Sequence, residues 1–145
     1  IWLVADCQLT TQTKTFLDLS IMIDNLNCSK NHPVFFTTVP GSRNVELWPK
    51  VLEELMAETG GHYNDVDNFL FTQINKRVIH EVMGIIGQPA AKAPCYMTDY
   101  GYTGSACIPI AFHKALKAGQ IKRGHNIVLV ASGAGLVVSA ARFIY

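Results

Sequence analysis

Three short stretches hold the residue types that do chemistry. Phe69-Leu70-Phe71 is followed at once by Thr72, Gln73, Asn75, Lys76 and Arg77, polar groups set where an apolar strand would end. Layered α/β proteins assemble their sites at the carboxyl edge of the sheet, so this run reads either as a site or as the cap of the next helix. Tyr100-Gly101-Tyr102-Thr103-Gly104-Ser105 is dense in hydroxyls just ahead of an apolar helical segment, where hydroxyls cap the helix or meet a ligand. Ser132-Gly133-Ala134-Gly135 is small enough for a ligand to reach the main chain. It reads as a hairpin turn whose glycines take positive φ, or as a backbone N–H aimed at an oxyanion. It opens no helix and no Lys-Ser/Thr follows it, which argues against a phosphate-cradling loop.

Cys7, Cys28, Cys95 and Cys107 form no C-x-x-C pair and have no His at ligand spacing, so neither a zinc site nor a disulfide framework is expected. Buried reduced thiols are the expectation instead. His32, His62, His80, His113 and His125 are scattered through separate segments, and none is marked as a ligand or triad member.

The elements that must position these groups follow from periodicity. Residues 16–24 alternate as a half-buried strand, residues 1–5 form a shorter apolar strand, and 33–39 is a third strand candidate beyond a loop at 25–31. From 45 to 58 the period becomes helical, with Trp48, Val51, Leu52, Leu55 and Met56 on one face and Gly60-Gly61 closing it. Residues 68–71 read as a buried strand. Val78, Ile79, Val82, Met83 and Ile86 carry the next helical stripe, and a helix over 106–118 follows, with Pro109 in its first turn and Gly119 at its C-cap. An apolar strand over 126–131, a tight turn at 132–135 and a last strand over 136–145 complete the chain. Strands alternating with helices predict a layered α/β fold, with a mixed sheet and a terminal β-hairpin. No linker or repeat divides residues 1–145, so one domain is expected.

Composition bounds the function. With 145 residues, 49% apolar and 16% charged, the chain can build a core and is not disordered. A net charge of +1 gives no global basic footprint, so nucleic acid is not the expected partner. No apolar run is long enough to span a membrane, and a cytoplasmic protein is expected. The start at Ile1 and the low charge predict a fragment or an obligate partner.

Taken together, Phe-Leu-Phe-Thr-Gln-Ile-Asn at 69–75, Tyr-Gly-Tyr-Thr-Gly-Ser-Ala-Cys-Ile-Pro-Ile-Ala at 100–111, Ala-Gly-Gln-Ile-Lys-Arg-Gly at 118–124 and Ser-Gly-Ala-Gly-Leu at 132–136 resemble the C-terminal half of β-ketoacyl-acyl-carrier-protein synthase III, in the thiolase-like superfamily. The resemblance is close from about Val45 onward. It implies a thiolase-like layered fold whose N-terminal half is absent from this chain. It also implies an acyltransferase of fatty-acid or polyketide-type biosynthesis acting on acyl thioesters.

That family works through a cysteine in the N-terminal half and a His and an Asn in this half. The resemblance places Thr72 and Tyr102 at the His and Asn positions, and the Ala134 N–H in the oxyanion hole. It further places Asn75 against the pantetheine arm, Gln73 beside it as a substrate-binding residue, and Arg77 toward an acidic carrier protein. His80 lies too far into the following helix to stand in for Thr72. With no imidazole, malonyl decarboxylation is placed in doubt, because the enolate it builds needs donated hydrogen bonds and proton work. The implied partners are acyl-carrier protein or a coenzyme A thioester, an N-terminal half or second subunit, and a second copy of the chain. No cofactor or metal is expected, since coenzyme A or phosphopantetheine thioesters are substrates. A catalytically silent scaffold half, or an acyltransferase to a non-malonyl acceptor, remains the alternative. None of the four cysteines is expected to be the nucleophile, and the stripes Val78, Val82, Ile86 and Ile108, Phe112, Leu116 are expected to form an apolar face for a missing partner.

Overall fold

The computed structural model describes residues 42–133 and 137–145 and the backbone of a strand at 2–6. The strands expected at 16–24 and 33–39, the loop at 25–31 and Ala134 lie outside the described residues. The elements run β1 (Trp2–Asp6), α1 (Ser42–Thr59), β2 (Asn68–Phe71), α2 (Lys76–Ile85), α3 (Met97–Tyr100), α4 (Cys107–Lys117), β3 (Asn126–Gly133) and β4 (Val137–Ile144), with 3-10 turns at Tyr63–Asp65, Ala90–Lys92 and Gly104–Ala106.

The described strands form one mixed sheet in the order β1-β4-β3-β2. β3 and β4 are the expected antiparallel pair, in register from Asn126 opposite Ile144 to Gly133 opposite Val137. β2 lies parallel to β3, Phe71 opposite Val130, so the two carboxyl ends share one edge of the sheet. β1 is antiparallel to β4.

Alternation along the strands sorts the core into two faces. Phe69, Phe71, Val128, Val130, Val138 and Ala140 join the α1 and α2 stripes in one cluster, while Leu70 and Ile127 join Ala111, Ala115 and Ile121 in a second, under α4. Helices therefore cover both faces, and β2 reads as a continuous apolar run because it is buried on both sides. The fold is the expected layered α/β arrangement around a mixed sheet.

Helix α1 buries the five expected residues, Trp48, Val51, Leu52, Leu55 and Met56, but begins at Ser42. Pro49 lies inside the helix, where its missing N–H leaves the Val45 carbonyl without its usual helical donor. Ser132 and Gly133 are strand rather than turn, because their pairing with Val138 and Val137 extends the ladder.

One expected apolar face is corrected. Val78, Val82 and Ile86 are buried within this chain, in the cluster that α1 completes, so they offer nothing to a partner. Ile108, Phe112 and Leu116 are half-buried over the second cluster, with Phe112 at 6.2 Å from Phe143 and 5.3 Å from Tyr145, ring centre to ring centre.

Candidate active site

The polar run after β2 divides its labour residue by residue. Thr72 continues the parallel ladder, its N–H donating to the Val130 carbonyl at 2.9 Å. Its side chain, 3% exposed, accepts a hydrogen bond from the Ser132 N–H at 2.9 Å. The hydroxyl thus ties the carboxyl end of β2 to that of β3. Among the described residues it donates to no acceptor, and no imidazole or carboxylate is bonded to it.

Ser132 is itself held from the other side. Its Oγ accepts from Trp48 Nε1 at 2.7 Å and donates to Asn44 Oδ1 at 2.9 Å, so α1, β2 and β3 meet at this one residue. Trp48 is 1% exposed, and a buried indole N–H needs a partner. That need is the one sequence signal for this cluster, and it does not name Ser132.

Gln73 faces inward. It is 2% exposed, donates from Nε2 to the Phe71 and Pro94 carbonyls at 3.0 and 3.4 Å, and accepts the Tyr96 N–H on Oε1 at 2.8 Å. The amide clamps the 94–96 segment to the end of β2. A tight turn, with the Ile74 N–H on the Thr72 carbonyl at 3.0 Å, then swings the chain into α2. There Asn75 is the N-cap, accepting the Arg77 N–H at 3.0 Å, while Lys76, Arg77 and His80 are exposed.

Tyr102 stands on the loop between α3 and α4, 55% exposed. Gly101 and Gly104 on either side take φ of 65° and 60°, a region open to glycine. No hydrogen bond joins Tyr102 to Thr72. The two segments are linked through α4, whose first residue, Cys107, accepts the Gln73 N–H on Sγ at 3.4 Å. The capping reading of the hydroxyl-rich turn is corrected: neither Thr103 nor Ala106 makes a side-chain cap. The 3-10 turn supplies the reason, since a backbone bond such as Ala106 N–H to the Thr103 carbonyl, 3.3 Å, occupies the donor a cap would satisfy.

Cys107 is buried and Cys95 half-buried, both free thiols. Burial pushes the Cys95 thiol up, against an opposing pull from Lys76. Among the described residues no cluster of three His, Cys, Asp or Glu could hold a metal, and no helix is long and apolar enough to cross a membrane.

Residues 56–144 match the sequence profile of 3-oxoacyl-[acyl-carrier-protein (ACP)] synthase III, C terminal. The chain is 36% identical over 90 residues to the β-ketoacyl-[acyl-carrier-protein] synthase III of Latilactobacillus sakei, covering 62% of this chain and 28% of that protein. It is 38% identical over 86 residues to that of Syntrophomonas wolfei, covering 59% of this chain and 26% of the relative. The chain thus spans little more than a quarter of these curated relatives. The crystal structure of 3-oxoacyl-[acyl-carrier-protein] synthase III from Aquifex aeolicus superposes with a TM-score of 0.70 at 30% identity, over 74% of this chain and 36% of that one. The Thermus thermophilus synthase III structure gives 0.69 at 30% identity, over 72% and 33%. Parallel strands ending at one edge, helices on both faces and these matches agree, and the chain belongs to the 3-oxoacyl-[acyl-carrier-protein] synthase III family.

Proposed function

We propose that this chain is part of a synthase III-like acyltransferase that moves acyl groups between thioesters of coenzyme A and acyl-carrier protein. The observation that supports this best is the Thr72 hydroxyl, buried at the carboxyl edge of two parallel strands with one lone pair taken by the Ser132 N–H. A hydroxyl so placed donates to a thioester or enolate oxygen, but it cannot act as the base that an imidazole would be. In this reading Tyr102 and the Ala134 N–H are the other donors, Asn75 meets the pantetheine arm, and Arg77 faces an acidic carrier protein. The thioester is substrate and no further cofactor is invoked. The protein works in the cytoplasm, as an assembly in which another half or copy completes the site.

Loss of the imidazole favours an acceptor other than malonyl thioester, because transfer needs the oxyanion donors more than proton work. The test offers the intact protein acyl-coenzyme A donors of several lengths and follows product masses with malonyl-carrier protein or unloaded carrier protein as acceptor. Transfer to a thioester acceptor with little malonyl decarboxylation is expected, and Thr72→His with Tyr102→Asn should raise decarboxylation. A folded protein that transfers nothing to any acceptor would instead be a silent scaffold half.

A further inference from the structure

We infer that Ser132 is a positioning residue that turns the Thr72 hydroxyl toward the role of hydrogen-bond donor, an inference that rests on the acyl-transfer reading above. Every group on Ser132 that can fix its place is assigned. The hydroxyl proton goes to Asn44 Oδ1 and a lone pair to Trp48 Nε1, at 2.9 and 2.7 Å, so Oγ cannot rotate without losing a bond on one side. The backbone N–H, held in place by that anchored side chain and by the ladder to β4, points its proton at Thr72 Oγ1. A hydroxyl that accepts such a bond has its own proton directed away from the donor. Thr72 keeps its own proton to give while one of its two lone pairs is occupied, and the site thereby favours ligands that present an acceptor oxygen, as a thioester carbonyl does.

A serine that merely stabilised the strand would lower stability without acting through Thr72. A double-mutant cycle on the intact protein separates the two roles. Ser132→Ala is expected to lower kcat for acyl transfer about tenfold with KM changed less than twofold, and Ser132→Thr, which keeps the hydroxyl, to recover most of it. In a Thr72→Val background Ser132→Ala should lower kcat no further. Trp48→Phe, which removes one anchor of the hydroxyl, should act in the same direction if Ser132→Ala folds poorly. Additive losses, or equal losses in Ser132→Ala and Ser132→Thr, would overturn the inference while leaving the acyl-transfer reading intact. Amide exchange at residue 132 gives a readout free of activity, and it should speed up in Thr72→Val. Unchanged exchange there overturns the inference, whereas faster exchange in Thr72→Val together with a folded wild-type protein that transfers nothing overturns the functional reading alone.

Discussion

Gln73 makes three hydrogen bonds through its amide inside the protein, to Phe71, Pro94 and Tyr96. Replacing it with Leu leaves the Tyr96 N–H and the Pro94 carbonyl without that partner, at about 1–3 kcal/mol for each group that stays buried. Thermal unfolding should therefore show Gln73→Leu melting several degrees below wild type. Gln73→Glu should be at least as damaging, because it keeps the acceptor, loses both donors and buries a charge. The cysteines give a second expectation at this scale. The thiolate is the reactive form, and burial pushes Cys95 up. Alkylation of Cys95, read by peptide mapping, should be slow at pH 7 and accelerate as pH rises past the ordinary thiol range. Cys107, buried beneath the end of β2, should stay unlabelled until the protein unfolds and should trap no acyl group. Rapid labelling of Cys107 in the folded protein would contradict its packed role.

The elements divide into those that local pattern reveals and those that only long-range contact explains. Asn75 belongs to the first group. It sits just ahead of the α2 stripe and caps that helix, so Asn75→Ala should cost about 1 kcal/mol and Asn75→Asp close to none, as denaturant midpoints would show. Gly61 belongs to the second. The sequence marks it only as a helix stop, yet a Cβ there would overlap the Arg142 guanidinium, which bonds Asn126 Oδ1 at 3.1 Å and Thr59 Oγ1 at 3.0 Å. Gly61→Ala should therefore destabilise the junction of α1 with β4 in a thermal melt, and the same substitution at Gly84, which meets nothing within 4 Å, should not. The same division runs through the site. Helical period exposes α1 and α2, and the short apolar run exposes β2, because their burial repeats at fixed spacing. Ser132 escapes this kind of reading, since Trp48 lies 84 residues away and Asn44 88. A Ser-Gly-Ala-Gly string looks like a turn until the opposite strand extends the ladder through it. Gln73 escapes for the same reason, its partners being fixed by how the chain folds back and not by its neighbours.

At the scale of the whole molecule, the face under α4 is only partly covered among the described residues. Ile108, Phe112 and Leu116 are half-buried on α4, beside the half-buried Phe143 and Tyr145. Apolar surface of this kind favours association, so the isolated 145-residue chain should sediment as a self-associated species at micromolar concentration. A stable monomer would contradict that expectation. At the edge where β2 and β3 end, the buried Thr72 is proposed as donor to a thioester oxygen. That role is tested most directly by following acyl transfer from acyl-coenzyme A to a thioester acceptor by mass spectrometry, with wild type compared against Thr72→Val in the intact protein. The predicted result is transfer by wild type and a loss of about 100-fold in kcat for the variant, the scale of removing one oxyanion donor. Absence of transfer by the folded wild type, or transfer at an equal rate by folded Thr72→Val, would contradict it.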